Sequence, residues 1–175
     1  MFKLKKTSAI LLILLFIFSC SSSDKPLVTP PKEKVALSKL YGYAMNDFHD
    51  GNAEGAVEKF KLVEKDYSYT EWAPKAVLML AYIYYETARC SDSLSTIERY
   101  IKYYPNSPER VYAEYLKAMC YFEEVSDFSK DQEKTLKALD QFKLILKTYP
   151  GTEYAADAKF KLDLLNDLLA GKEMY

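Results

Sequence analysis

Three stretches decide the fold: Tyr67-Ser68-Tyr69-Thr70, Tyr104-Pro105-Asn106-Ser107 and Tyr149-Pro150-Gly151-Thr152. Each reads as the end of one helix and the start of the next. Pro105 and Pro150 cannot continue a helix, because the ring removes a backbone donor and collides with the preceding turn. Thr70, Ser107 and Thr152 stand where a hydroxyl can accept from the free amides of the helix that follows. Glu71, Glu109 and Glu153 fall in the first turns, where negative charge suits the helix dipole, and Pro108 takes a first helical position.

Around this punctuation, residue size repeats. Seven positions before each tyrosine lie Phe60, Ile97 and Phe142, and eleven before lie Ala56, Ser93 and Ala138. Nine positions after lie Ala76, Ala113 and Ala158, and fourteen after lie Ala81, Ala118 and Asp163. Small residues let helices approach and large ones fill the groove between them. Apolar residues recur at three- and four-residue steps with little glycine, so the chain after its leader reads as helix throughout. With Gly51-Asn52 at a hairpin turn, the pattern resembles the tetratricopeptide repeat. It predicts an all-α solenoid of three helical hairpins plus one unpaired C-terminal helix, with helices near 33–49, 52–66, 71–89, 92–103, 108–124, 131–148 and 152–170. The tyrosines are 37 and then 45 residues apart, against a repeat of about 34. The surplus places a loop over Val125-Ser126-Asp127-Phe128-Ser129-Lys130-Asp131-Gln132.

The final helix carries Ala155, Ala158, Leu162, Leu165 and Leu169, with Phe160, Leu164 and Leu168 beside them. An apolar surface on more than one face suits a helix with a neighbour on each side. Solenoids end in polar caps, so further chain or a partner protein is expected to cover this end.

At the other end, Lys3, Lys5 and Lys6 precede an apolar run from Ala9 to Phe18, closed by Ile17-Phe18-Ser19-Cys20. This resembles a bacterial lipoprotein signal peptide over residues 1–19, with Cys20 as the acylated first residue of the mature chain. A membrane-crossing helix needs about 20 apolar residues, so the run is too short to be a permanent anchor; several acyl chains on Cys20 would hold instead. Ser21, rather than an aspartate, follows the cysteine and resembles an outer-membrane sorting pattern. Residues 20–33 read as a flexible tether and 34–175 as the repeat domain.

Removing the three lysines of residues 1–19 leaves 21 basic against 25 acidic residues, a charge of −4. Without a basic stripe, nucleic acid is an unsuitable partner. Cys90 and Cys120 are expected as two unpaired, mostly buried thiols. Cys90 is placed at the end of one helix and Cys120 seven positions earlier on the next equivalent helix. That is a rise of about 10 Å, against a disulfide limit of about 7 Å between Cα atoms. A bridge is the lesser expectation.

No catalytic grouping is legible. His49 ends the first helix, where its charge complements the dipole, and Glu123, Glu124, Asp127 and Asp131 read as a solvated acidic face. No metal-ligand spacing or phosphate cradle stands out, so no cofactor or metal is expected. The positive feature is aromatic. In tetratricopeptide solenoids the first helix of each hairpin lines the concave face, which marks Tyr41, Met45 and Phe48, then Leu78, Tyr82 and Tyr85, then Tyr115, Met119 and Phe122 as peptide-binding candidates. The alternative is that these side chains fill the inside of a tightly wound superhelix.

Leader and repeats together resemble the BamD family of outer-membrane assembly lipoproteins. The resemblance rests on Asp50-Gly51-Asn52, Ala81-Tyr82-Ile83-Tyr84-Tyr85, Arg99-Tyr100-Ile101, Tyr112-Ala113-Glu114-Tyr115-Leu116, Asp131-Gln132, Tyr149-Pro150-Gly151-Thr152-Glu153-Tyr154, Asp157-Ala158 and Leu169-Ala170. It implies a non-enzymatic scaffold, lipid-anchored at the periplasmic face of the outer membrane. The N-terminal repeats would contact unfolded barrel proteins or their targeting signals. The C-terminal repeats would dock the periplasmic domains of the barrel-inserting subunit, BamA. Ser68 departs from the family's first Tyr-Pro. The chain stops at Glu173-Met174-Tyr175 where the family continues into further helices, so it is expected to be C-terminally shortened. The alternative is another tetratricopeptide envelope protein acting in cell-division or cell-wall coordination, although the heptads that suit such a role are missing.

Overall fold

The computed structural model describes residues 32–125 and 132–173. The leader, Cys20, the tether up to residue 31 and nearly all of the expected Val125–Gln132 loop lie outside them. The described residues form seven helices: α1 Lys32–His49, α2 Ala53–Asp66, α3 Trp72–Glu86, α4 Cys90–Tyr103, α5 Arg110–Glu123, α6 Gln132–Thr148 and α7 Glu153–Glu173. This is the all-α helical-repeat fold that the spacing predicts.

Local chemistry sets the boundaries. Between α1 and α2, Gly51 takes φ +80°, and Asn52 caps α2 by accepting from the Gly55 amide at 3.1 Å. Ala88 makes the equivalent left-handed turn between α3 and α4 at φ +57°. The three expected hydroxyl caps divide. Thr152 accepts from the Ala155 amide at 3.2 Å while donating to the Tyr149 carbonyl at 2.9 Å. Thr70 instead donates backwards to the Tyr67 carbonyl at 2.7 Å. Ser107 relays, receiving the Tyr100 hydroxyl at 2.7 Å and, at 3.4 Å, the Glu109 amide, while donating to the Glu109 carboxylate at 2.6 Å. The reason is that α3 and α5 begin two to three residues beyond these hydroxyls, with Glu71 and Glu109 at the cap positions. Pro108 therefore precedes α5 and is not its first residue.

Each helix packs on the next, and α1 meets α3, α3 meets α5, and α5 meets α7. The backbones of helices α2, α4 and α6 stay apart from one another among the described residues. The odd helices therefore crowd the inside of the superhelix and the even ones splay outside. Long side chains bridge that outer gap: Arg89 reaches Glu54 at 3.2 Å and Arg99 reaches Glu64 at 2.9 Å.

The core is a chain of three clusters. The first joins α1, α2 and α3 around Phe60, the second α3, α4 and α5 around Ile97 and Tyr100, and the third α5, α6 and α7 around Phe142 and Ile145. Phe60, Ile97 and Phe142 are wholly buried, as are the alanines at all the repeating small positions. Each such large side chain contributes about 1.5–3 kcal/mol. Asp163 breaks the pattern and is exposed, because no helix of the described residues packs against that position on α7. Phe160, at 66% exposure, stands on the same open surface with Leu164 and Leu168.

Candidate functional site: an aromatic file along the inner helices

Four rings from the four odd helices touch in sequence. Phe48 on α1 meets Tyr82 on α3 with centroids 5.7 Å apart, Tyr82 meets Tyr112 on α5 at 6.5 Å, and Tyr112 meets Tyr154 on α7 at 5.6 Å. All four are half-buried. They form a continuous file across every repeat on the side where the odd helices converge. Tyr115 joins its far end, 5.3 Å from Tyr154, and its hydroxyl donates to Asp157 at 2.6 Å.

Of the nine sequence candidates, Phe48 and Tyr82 lie in the file and Tyr115 beside it. Tyr41 packs on Phe60 at 5.1 Å and Trp72 at 4.9 Å, and Met45 joins the same cluster. Leu78 and Tyr85 pack on the second cluster. Phe122 lies 6.2 Å from Phe142 under the Lys161 ammonium, and Met119 is buried. Tyr112, Tyr154 and Asp157 are not among the nine, although they stand in the motifs that carry the family resemblance. A fixed offset from each tyrosine misses them because the file drifts: its members stand 18, 15, 8 and 5 positions along successive repeats. Steps of three and seven keep the same helix face while moving toward the helix start, so a periodic face with a sliding register is the signal that could have found them.

Burial pushes the hydroxyl pKa of Tyr82, Tyr112, Tyr115 and Tyr154 up, reinforced by Glu86 at Tyr82 and Asp157 at Tyr115. Tyr85 is pushed up to about 12, by burial first and then by Glu123. At neutral pH the face therefore presents protonated phenols, which donate hydrogen bonds and offer ring faces. An adjoining cleft of about 670 Å³ is lined by Tyr85, Glu86, Ala88, Arg89, Cys90, Ser91, Glu123 and Glu124. Among the described residues no group of three or more His, Cys, Asp or Glu could hold a metal ion, and no helix is long and apolar enough to cross a membrane.

The thiols correct the expected geometry. Both are free, Cys90 half-buried and Cys120 buried. The helix ends that carry them meet, however: Cys90 lines a cleft with Glu123 and Glu124, one turn beyond Cys120 at the end of α5. The expected separation assumed that Cys90 ends α3. In fact α3 stops at Glu86 and Cys90 opens α4, which runs antiparallel to α5 and sets its first turn beside the last turns of α5.

A winding of helical hairpins with a ring-lined inner face defines a tetratricopeptide-type scaffold. Residues 33–175 match the YfiO family, described as outer membrane lipoprotein, and the chain belongs to that family. It is 37% identical over 169 residues to the outer membrane protein assembly factor BamD of Caulobacter vibrioides, covering 96% of this chain and 55% of that protein. It is 32% identical to the protein of that name from Rickettsia prowazekii, covering 97% and 66%. The Vibrio cholerae protein is 29% identical, at 91% and 68% coverage. The chain thus spans just over half to two thirds of the length of these relatives.

Proposed function

We propose that this chain is the client-facing part of a scaffold in outer-membrane β-barrel assembly. It is anchored by acyl chains on Cys20 at the periplasmic face of the membrane, binds unfolded barrel proteins and links them to the barrel-inserting subunit, BamA. The observation that carries the reading is the file Phe48–Tyr82–Tyr112–Tyr154 on a chain of the YfiO family. Rings with protonated hydroxyls suit an extended chain of alternating apolar and polar side chains, because they pack against the former and hydrogen-bond the backbone. Membership of an assembly-factor family supports the client and partner assignments. The open surface of α7, with Phe160, Leu164 and Leu168, suits coverage by further helices or by the partner subunit.

The test is binding of a labelled, urea-unfolded barrel protein, diluted into the purified chain and followed by fluorescence anisotropy. Tyr82→Ala with Tyr154→Ala is expected to weaken binding at least about tenfold, or about 1.4 kcal/mol, with helicity retained. Tyr69→Ala, at a fully exposed inter-repeat position, should leave it unchanged. Equal affinity in all three proteins would overturn the client-binding assignment. For the anchor and partner, the envelope-expressed chain is pulled down with and without Cys20→Ala. Membrane partitioning of the alanine variant, or recovery of division proteins in place of the inserting subunit, would count against those parts of the reading.

A further inference from the structure

The strongest unassigned feature is the contact between the α4 start and the α5 end. Cys120 is wholly buried, one turn before Glu123 and Glu124 at the end of α5, the residues that line a cleft with Cys90 at the first position of α4. Its electrostatic coupling to Cys90 and to Ser93, one turn along α4 from Cys90, supports that placement. Ser93 is itself wholly buried and fixed by donating to the Ala81 carbonyl at 2.8 Å, so the pair sits on an anchored turn. Cys90 opens onto the 670 Å³ cleft beside Glu123 and Glu124. One thiol is therefore reachable from solvent and the other waits behind it, the arrangement of an attacking and a resolving cysteine.

We propose that Cys90 and Cys120 form a redox modification site, a disulfide that ties the second repeat to the third. The oxidant is a disulfide-bearing compound or a thiol–disulfide oxidase of the cell envelope, a compartment where such bonds persist. The Cys90 thiol loses its proton and attacks one oxidant sulfur, and the oxidant's other sulfur leaves as a thiolate. Cys120 then loses its proton and attacks the Cys90 sulfur, expelling the second oxidant thiolate. Two protein thiols are oxidised by two electrons, one oxidant disulfide is reduced, and two protons are released. The order follows from environment. Burial raises the pKa of both thiols, and that of the more deeply buried Cys120 reaches about 12. Glu123 and Glu124 raise Cys90 further, while Lys134 opposes them. Cys90 ionises first, and the exchange accelerates as pH rises.

The experiment treats the folded full chain with oxidised glutathione at mildly alkaline pH, quenches with iodoacetamide and digests with trypsin without reductant. Mapping by mass keeps Cys20 out of the readout. The expected product is the peptide Cys90–Arg99 joined to Ala118–Lys130, about 2 Da lighter than the two free peptides together and accompanied by full loss of both thiols. In Cys90→Ser, which alters only the half-buried partner, Cys120 should remain unmodified by glutathione. Both cysteines recovered alkylated from the native chain, a persistent glutathione adduct on Cys90 that Cys120 never resolves, or a bridge from either to Cys20 would each overturn the proposal.

Discussion

The Tyr115 hydroxyl on α5 donates to Oδ2 of Asp157 on α7 across 2.6 Å, and it is the polar latch between the third repeat and the last helix. Forty-two residues separate the two, so the bond forms only when α6 has folded back between them. Tyr115→Phe leaves the half-buried carboxylate without this donor. A cost of about 1–2 kcal/mol is expected, read as a lower urea midpoint at unchanged slope. Asp157→Asn keeps an acceptor and should cost less.

The inner tyrosines make stability fall at high pH. A phenol whose pKa is raised in the folded chain keeps its proton after the unfolded chain has begun to lose it near 10. The folded state then binds more protons, and stability decreases as pH rises. For Tyr85 the loss begins near the ordinary phenol value of 10.0 and continues to about 12; Tyr112 and Tyr115 shift in the same direction. Urea midpoints should be flat near neutral pH, begin to slip from about 8–9 as the raised Cys90 and Cys120 thiols contribute with the same sign, and drop steeply above about 10. Tyr85→Phe should make that drop shallower.

How much of this was legible depended on whether a feature is local or relational. Phe60, Ile97, Phe142 and their small partners could be placed from spacing alone, because a helix repeats its buried face wherever it occurs. The file was half legible. Phe48 and Tyr82 sit at fixed offsets, whereas Tyr112 and Tyr154 depend on how each repeat rotates over the last, a property of packing between helices. The position of Cys90 was illegible for a similar reason. Three residues at the end of α3 decided which helix Cys90 belongs to, and boundaries of that size are the least readable part of a sequence. Glu114 and Gln141, whose amide donates to the carboxylate at 2.7 Å, gave no pattern at all, since the pairing of two buried polar groups across α5 and α6 has no period.

The left-handed turns at Gly51 and Ala88 make opposite predictions for one side-chain methyl. Gly51 at φ +80° has open space where a Cβ would go, so Gly51→Ala meets only the backbone penalty of about 1 kcal/mol. Ala88 already carries that strain at φ +57°. Ala88→Gly relieves it but gives the unfolded chain more freedom, and a net gain of about 0–1 kcal/mol is expected. Thermal midpoints should fall for the first variant and hold or rise for the second.

Because the core is three clusters joined end to end, damage should stay near its origin. Phe60 and Phe142 are both wholly buried, and truncating either to alanine should cost about 3–5 kcal/mol. The consequences differ in place. Phe142→Ala weakens the cluster shared by α5, α6 and α7, and α7 has no further described helix to hold it. Hydrogen exchange should therefore quicken over α6 and α7 while the amides of α2 and α3 stay protected, as expected where each repeat interacts only with its neighbours. Phe60→Ala should loosen α1 and α2 and leave α6 protected. Uniform acceleration along the chain in either variant would mean that the repeats unfold as one unit, with the aromatic file and the outer Arg99–Glu64 bridge coupling the clusters more tightly than their separate cores imply.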